Sequence, residues 1–245
     1  MKLNFKDLHK LYHDELINRI IPFWVNNAID WEKGGICSCI ADDGQIINRD
    51  KYMWSQLRAL WTFSALYHRI EKKTEWLKIA NHLFDFIKIY GRDSNGKWVY
   101  LVDADGKIKE GAISIYADGF ALYGLTEFYM ATNNQEALTL AKSTYQFIMK
   151  QLASPGTYLT APYPLPKGIK AHGIAMIFAH TLEEFGLAIK DQKIQKEAFD
   201  FALEIMQHFV HPQDKFVYEF IKEDNTLWDD PQGRALVPGH GIESM

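Results

Sequence analysis

The sequence predicts an all-α toroid, a ring of helical hairpins joined through short β-hairpins. Three observations lead there. An amphipathic segment centred on alanine recurs at Ala80, Ala141 and Ala202, always 61 positions on, and a fixed period of this length marks a repeat architecture. A more apolar segment precedes each one. Short alternating stretches broken by Asp-Gly or Asp-Asn fall between the pairs.

Composition sets the outer limits. The chain has 245 residues, 47% hydrophobic and 24% charged, with 27 Lys+Arg against 31 Asp+Glu. That is enough apolar material for a substantial core, which excludes a disordered chain. A net charge of −4 leaves no basic stripe for phosphates, so nucleic acid is not an expected partner. No apolar run approaches the roughly 20 residues of a membrane span. The start, Met1 to Asp7, is charged and has no apolar core of a secretory signal. Cys37 and Cys39 stand two apart, too close for a disulfide framework and without a second ligand pair for a metal. A soluble, cytoplasmic, single-domain protein spanning 1–245 is the expectation.

Each element follows from its local pattern. Ile36 to Ile47 alternates around Asp43-Gly44, and Trp98 to Ile108 around Asp105-Gly106; both read as hairpins, because Asp-Gly supplies the positive φ that tight hairpin turns require. A third, Phe216 to Leu227, turns at Asp224-Asn225. Between the second and third, Pro162 to Pro166 holds three prolines and predicts a rigid loop in place of a hairpin. The segments 58–67, 120–129 and 176–185 are apolar on nearly every side, the pattern of inner helices. Their followers at 79–87, 140–148 and 201–209 carry a polar face and should lie outside. Inner helices buried all round, polar only at their N-terminal ends, favour a closed ring over an open solenoid.

Those N-terminal ends hold the candidate site. Trp54, Gln56 and Arg58, then Tyr116 and Asp118, then His172, then His240 and Glu243 should converge on one mouth of the ring as a polar small-molecule pocket. Each has a plainer reading. Arg58 could pair with Glu127; His240 and Glu243 could be a helix-surface pair at i, i+3; His172 could cap its helix; Trp54, Tyr116 and Trp61 could be core packing. His9, His13, His68, His82, His208 and His211 read as surface residues of outer helices and loops. No Walker, GxGxxG, HExxH or GxSxG pattern occurs.

Several motifs taken together resemble the N-acylglucosamine 2-epimerase family, which includes cellobiose 2-epimerases and aldose–ketose isomerases. They are Asp30-x-x-x-Gly34-Gly35, Trp54-Ser55-Gln56-x-Arg58, Tyr116-x-x-x-Phe120-Ala121-Leu122-Tyr123 and Pro238-Gly239-His240-x-Ile242-Glu243. The resemblance implies an (α/α)6 barrel and a sugar substrate whose C2 proton is removed and returned through an enediolate. It implies His240 as a catalytic base, suited by imidazole's near-neutral titration, and Arg58 as the cation beside the enediolate oxygen. It makes Glu243, Tyr116, Trp54, Gln56, His172 and Met176 substrate contacts. Met176 stands where the cellobiose epimerases have a histidine, which favours the acylglucosamine type. The reaction it implies requires no metal and no redox cofactor; ATP is an activator of some members, with no site located here.

Six units would need roughly 366 residues, and this chain has 245, about four units. The expectation is an incomplete barrel whose C-terminal part is missing, with little turnover by itself. A homodimer or a separately encoded C-terminal half are the partners it suggests. Two other readings remain: a non-catalytic interaction protein on the same scaffold, and a glycoside hydrolase or lyase using Asp118 and Glu243 as paired carboxylates.

Overall fold

The computed structural model describes residues 4–154 and 158–244. It opens with α1 (Phe5–Glu15), a π turn (Leu16–Ile20) and α2 (Ile21–Asn27). Three helical pairs follow: α3 (Met53–Ala65) with α4 (Thr74–Tyr90), α5 (Ile115–Thr132) with α6 (Gln135–Leu152), and α7 (His172–Ile189) with α8 (Gln192–Glu204). A short α9 (Pro238–Glu243) comes last. Helix α3 packs on α5, α5 on α7 and α7 on α9, while α4, α6 and α8 each pack on the partner before them. The inner helices therefore form an arc with the outer helices behind it, the layering the repeat predicts.

The turns within pairs have a chemical cause. Asn133 and Lys190 end α5 and α7 in the left-handed conformation, at φ 56° and 59°. The next residues, Asn134 and Asp191, accept backbone N–H groups of α6 and α8 as N-caps. Reversal takes two residues because one closes a helix and its neighbour opens the next. Between α3 and α4 a π turn (Leu66–Ile70) serves instead. The core joins Leu57, Leu60 and Phe63 of α3 to Leu83 and Ile87 of α4, Leu122 and Phe128 of α5, and Phe178 and Leu182 of α7. Gly124 lets α3 and α5 close on each other: a Cβ there would stand 2.4 Å from the Leu57 carbonyl oxygen.

The predicted hairpins form. Strands β1 (Cys39–Ile40) and β2 (Ile46–Asn48) turn through Gly44 at φ 89°, and β4 (Leu101–Val102) and β5 (Ile108–Glu110) through Gly106 at φ 86°. The third region is more divided than predicted. Strand β7 (Val210–His211) pairs with β8 (Phe216–Val217), whereas β9 (Phe220–Lys222) closes the Asp224-Asn225 turn only through a bridge from Ile221 to Leu227. The proline segment is loop, as expected, and leads into an unpredicted strand, β6 (Ile169–Ala171), that pairs with β9. Strand β3 (Lys51–Tyr52) pairs with β4 in the same manner.

These pairings obey one rule. The first N–H of each long inner helix donates to a carbonyl in the connection after its own outer helix: Met53 to Tyr100, Ile115 to Leu159 and His172 to Glu219. Each inner helix thus begins against the following unit.

Two expectations need correction. The inner helices are not buried all round, because Trp54, Trp61, Tyr116, Phe120, Tyr123 and Met176 remain half-buried and Arg58 and His180 exposed. Nor is polarity confined to their N-terminal ends. Glu127, fully buried on α5, receives Arg69 and His68 from the π turn after α3, and Arg69 also reaches Glu184 of α7. Glu127 is therefore the partner of Arg69, not of Arg58.

Candidate functional site

Three side chains from three elements meet at the start of α7. Strand β9 lies antiparallel to β6, with Ala171 opposite Phe220, so His172, just after β6, and Glu219, just before β9, fall at the same level. The His172 N–H donates to the Glu219 carbonyl at 2.8 Å. His240, in the first turn of α9, comes from the other side: its Nδ1 is 2.8 Å from Glu219 Oε2. His172 Nδ1 lies 3.7 Å from the same oxygen, and His172 Nε2 is 2.8 Å from Ser244 Oγ. The two imidazole rings are 6.0 Å apart, edge to face.

Gly173 leaves the space in which these groups converge. A Cβ at that position would stand 3.2 Å from the Tyr116 hydroxyl, 3.4 Å from Glu219 Oε1 and 3.5 Å from His240 Cε1. Tyr116 therefore joins the cluster across α5 and α7.

The charge states follow from the contacts. Burial works against ionisation of Glu219, but the neighbouring His172 ring and the hydrogen bond from His240 outweigh it and hold the carboxyl below its usual range. An ionised carboxylate only accepts, so His240 Nδ1 must carry the proton of that bond. The bond to Glu219 also raises the His240 pKa against partial burial, helped by the charges of Glu219 and Glu243. With Nδ1–H fixed, neutral His240 presents the Nε2 lone pair as a base. Burial, followed by the negative charge of Glu219, pushes the Tyr116 phenol far above its usual value, so it stays a donor.

The other expected residues are placed as follows. Arg58 is exposed, its guanidinium 5.2 Å from the centre of the Phe120 ring, one helical turn beyond Tyr116. Trp54 packs between Tyr100 and Phe120, at 5.8 and 6.5 Å. Met176 is half-buried one turn beyond His172. Glu243 is exposed and reaches the cluster only through its charge on His240. Gln56 has a different duty: it is fully buried, accepting the Ile36 N–H at 2.7 Å and donating to the Ile36 carbonyl at 2.8 Å. Its amide fixes the entry of the first hairpin to α3. Asp118 faces α6, accepting from Gln151 at 3.0 Å, and so does not pair with Glu243 as a hydrolase would require.

Glu219 is not among the residues predicted for the site. A signal for it exists: aligning Asp105-Gly106 with Asp224-Asn225 sets Glu219 on Tyr100, so a carboxylate replaces an aromatic side chain in an alternating strand. His82 also differs from its surface reading. It is half-buried, with Nε2 2.8 Å from the Asp30 carbonyl and its ring against Trp31. His68 lies in the π turn that continues an inner helix, not on an outer one.

Comparison with known proteins bears on the family and the fold. The chain is 28% identical over 265 aligned positions to a cellobiose 2-epimerase of Dictyoglomus turgidum, covering 99% of this chain and 64% of that protein. It is 25% identical to the N-acylglucosamine 2-epimerase of Bos taurus, covering 93% and 56% respectively. The chain thus spans less than two thirds of the length of either relative. Among solved structures, the cellobiose 2-epimerase from Spirochaeta thermophila superposes with a TM-score of 0.83 at 22% identity, over 98% of this chain and 62% of that one, which establishes the all-α toroid fold. Residues 34–245 match the family described as N-acylglucosamine 2-epimerase (GlcNAc 2-epimerase), and the chain belongs to that family.

Proposed function

We propose that this chain carries the C2 proton-transfer chemistry of a sugar 2-epimerase of the N-acylglucosamine type, interconverting N-acetylglucosamine and N-acetylmannosamine. The observation that carries the reading is the bond from His240 Nδ1 to Glu219, which leaves Nε2 free as a base. A 2-epimerase acts on the open-chain sugar, whose C2 proton is acidic because removal gives an enolate of the C1 aldehyde (an enediolate where C2 carries a hydroxyl, as in cellobiose). His240 Nε2 takes that proton from one face, and the resulting imidazolium is stabilised by Glu219; inversion is completed by a second acid that delivers a proton to the opposite face. Tyr116, held as a phenol, donates to a sugar oxygen. Arg58, exposed above Phe120, is assigned to the enolate oxygen at C1, where a fixed cation acts most strongly. Trp54 and Met176 form the walls.

Cellobiose epimerisation and aldose–ketose isomerisation use the same first step, and the likeness to the Dictyoglomus protein favours the former as a second reading. His172, one turn before Met176, would then contact the sugar.

Deuterium uptake at C2 reports removal of the C2 proton and return of a deuteron by the same base, without requiring inversion. The purified chain, incubated in D2O with N-acetylmannosamine and separately with cellobiose, is expected to exchange slowly. His240→Ala is expected to abolish exchange. No uptake with either sugar, or uptake unchanged in His240→Ala, would overturn the reading, and the sugar that exchanges identifies the substrate.

A further inference from the structure

We infer that His172, Glu219 and His240 bind one divalent transition-metal ion, of the Zn(II) or Co(II) kind, and that this ion switches the base off. Two imidazoles and one carboxylate are the donor set of open zinc sites, which complete a tetrahedron with water. One ligand atom from each of the three residues lies within 4.8 Å of the others, and the Nδ1 atoms of His172 and His240 are 3.7 and 2.8 Å from Glu219 Oε2. The 3.7 Å between His172 Nδ1 and Glu219 Oε2 is too long for a hydrogen bond. It is close to the span of roughly 3.3 Å between ligand atoms sharing one tetrahedral ion at bonds of about 2.0–2.1 Å.

The surroundings fit as well. A metal-bound histidine ordinarily donates its other ring N–H to an oxygen, which fixes the tautomer. His172 has such a partner in Ser244 Oγ, 2.8 Å from Nε2, and that bond leaves Nδ1 as the ligand atom. His172 and Glu219 are buried, whereas the His240 side chain is 35% exposed, so an ion has a way in. Glu219 enters already ionised, so it loses no proton to the metal. Neutral His240 must hand its Nδ1 proton to solvent and take one at Nε2, with no net change. The lone pair on Nε2 is thereby lost, and His240 can no longer accept a proton.

Binding does not depend on the sugar reading; the loss of base function does, and the two are separable. Titration of Co(II) into the Cys37→Ser/Cys39→Ser protein, followed by its visible ligand-field bands, is expected to show one tight tetrahedral site from which Zn(II) displaces cobalt. Glu219→Gln, nearly isosteric, and His172→Ala are each expected to weaken it by at least tenfold, and Ser244→Ala by about tenfold as an outer partner. Circular dichroism checks that each variant is folded. Absence of a tetrahedral cobalt spectrum, or affinity unchanged in Glu219→Gln and His172→Ala, overturns the site. Affinity traced instead to His9 with His13, or to His211 with Asp214, overturns it equally. In the second arm, Zn(II) should stop C2 deuterium exchange and EDTA restore it; exchange continuing with the site filled refutes the switch. Absence of exchange in metal-free protein would count against the epimerase reading, leaving the cobalt result to stand by itself.

Discussion

Glu219 and Asp118 are both buried carboxyls, and their neighbours send them opposite ways. Two imidazoles hold Glu219 ionised. Asp118 has one amide donor, Gln151, and burial pushes its pKa up to about 7. Its folded-state pKa lies above the unfolded value, so the folded chain binds the proton more tightly. Stability from this group is full below the unfolded pKa and is lost as pH rises from about 4 to 7. Asp118→Asn keeps an oxygen for Gln151 and removes the charge. Chemical denaturation should find the variant more stable at pH 8 by about 3 kcal/mol, with little difference at pH 4. For Glu219 the conservative change has another effect. In Glu219→Gln the side chain can donate to His240 as well as accept, the tautomer is no longer fixed, and C2 exchange should fall roughly 100-fold or more. An unchanged rate would show that Glu219 does not orient the base.

Among the elements, the contact between α3 and α5 leaves the least room. Gly124→Ala would press its methyl into the Leu57 carbonyl, and only separation of the helices relieves it. A loss of about 1–3 kcal/mol in urea unfolding is expected. Much of this level was readable beforehand. The 61-residue period placed the inner and outer helices, and Asp-Gly located two hairpins, because amphipathic spacing and turn chemistry are local properties. Strand β6 was not readable, since three residues after a proline loop carry no periodicity and become a strand only when β9 arrives from 51 positions later. Glu219 went unseen for the same reason: its place beside His172 is made by that pairing. Gln56 shows the limit from another side. Its motif marks it as important, yet nothing local reveals that its amide is committed to Ile36.

At the scale of the molecule, the arc is tied at both ends of its inner helices. One end has the backbone bonds to Tyr100, Leu159 and Glu219; the other has Arg69, which joins the end of α3 to Glu127 of α5 and Glu184 of α7. Glu127 is fully buried, so Arg69→Ala would leave its charge with only His68. Breaking such a pair costs about 3 kcal/mol, the low end of the usual range because the guanidinium is partly exposed. The Tm should drop while the deuterium-exchange rate of the remaining folded protein is retained. Arg58, the neighbouring cation on the same arc, should behave in reverse when changed to alanine, with stability kept and exchange lost. The stitch between Glu219 and His172 also has a bearing on descent. Side chains along a strand alternate between its faces, so a one-residue slip of β9 against β6 would present Tyr218 or Phe220 to the imidazoles in place of Glu219. Descent can therefore lengthen the hairpin beyond β9 without touching the site, whereas a one-residue slip of β9 on β6 removes the carboxylate from it.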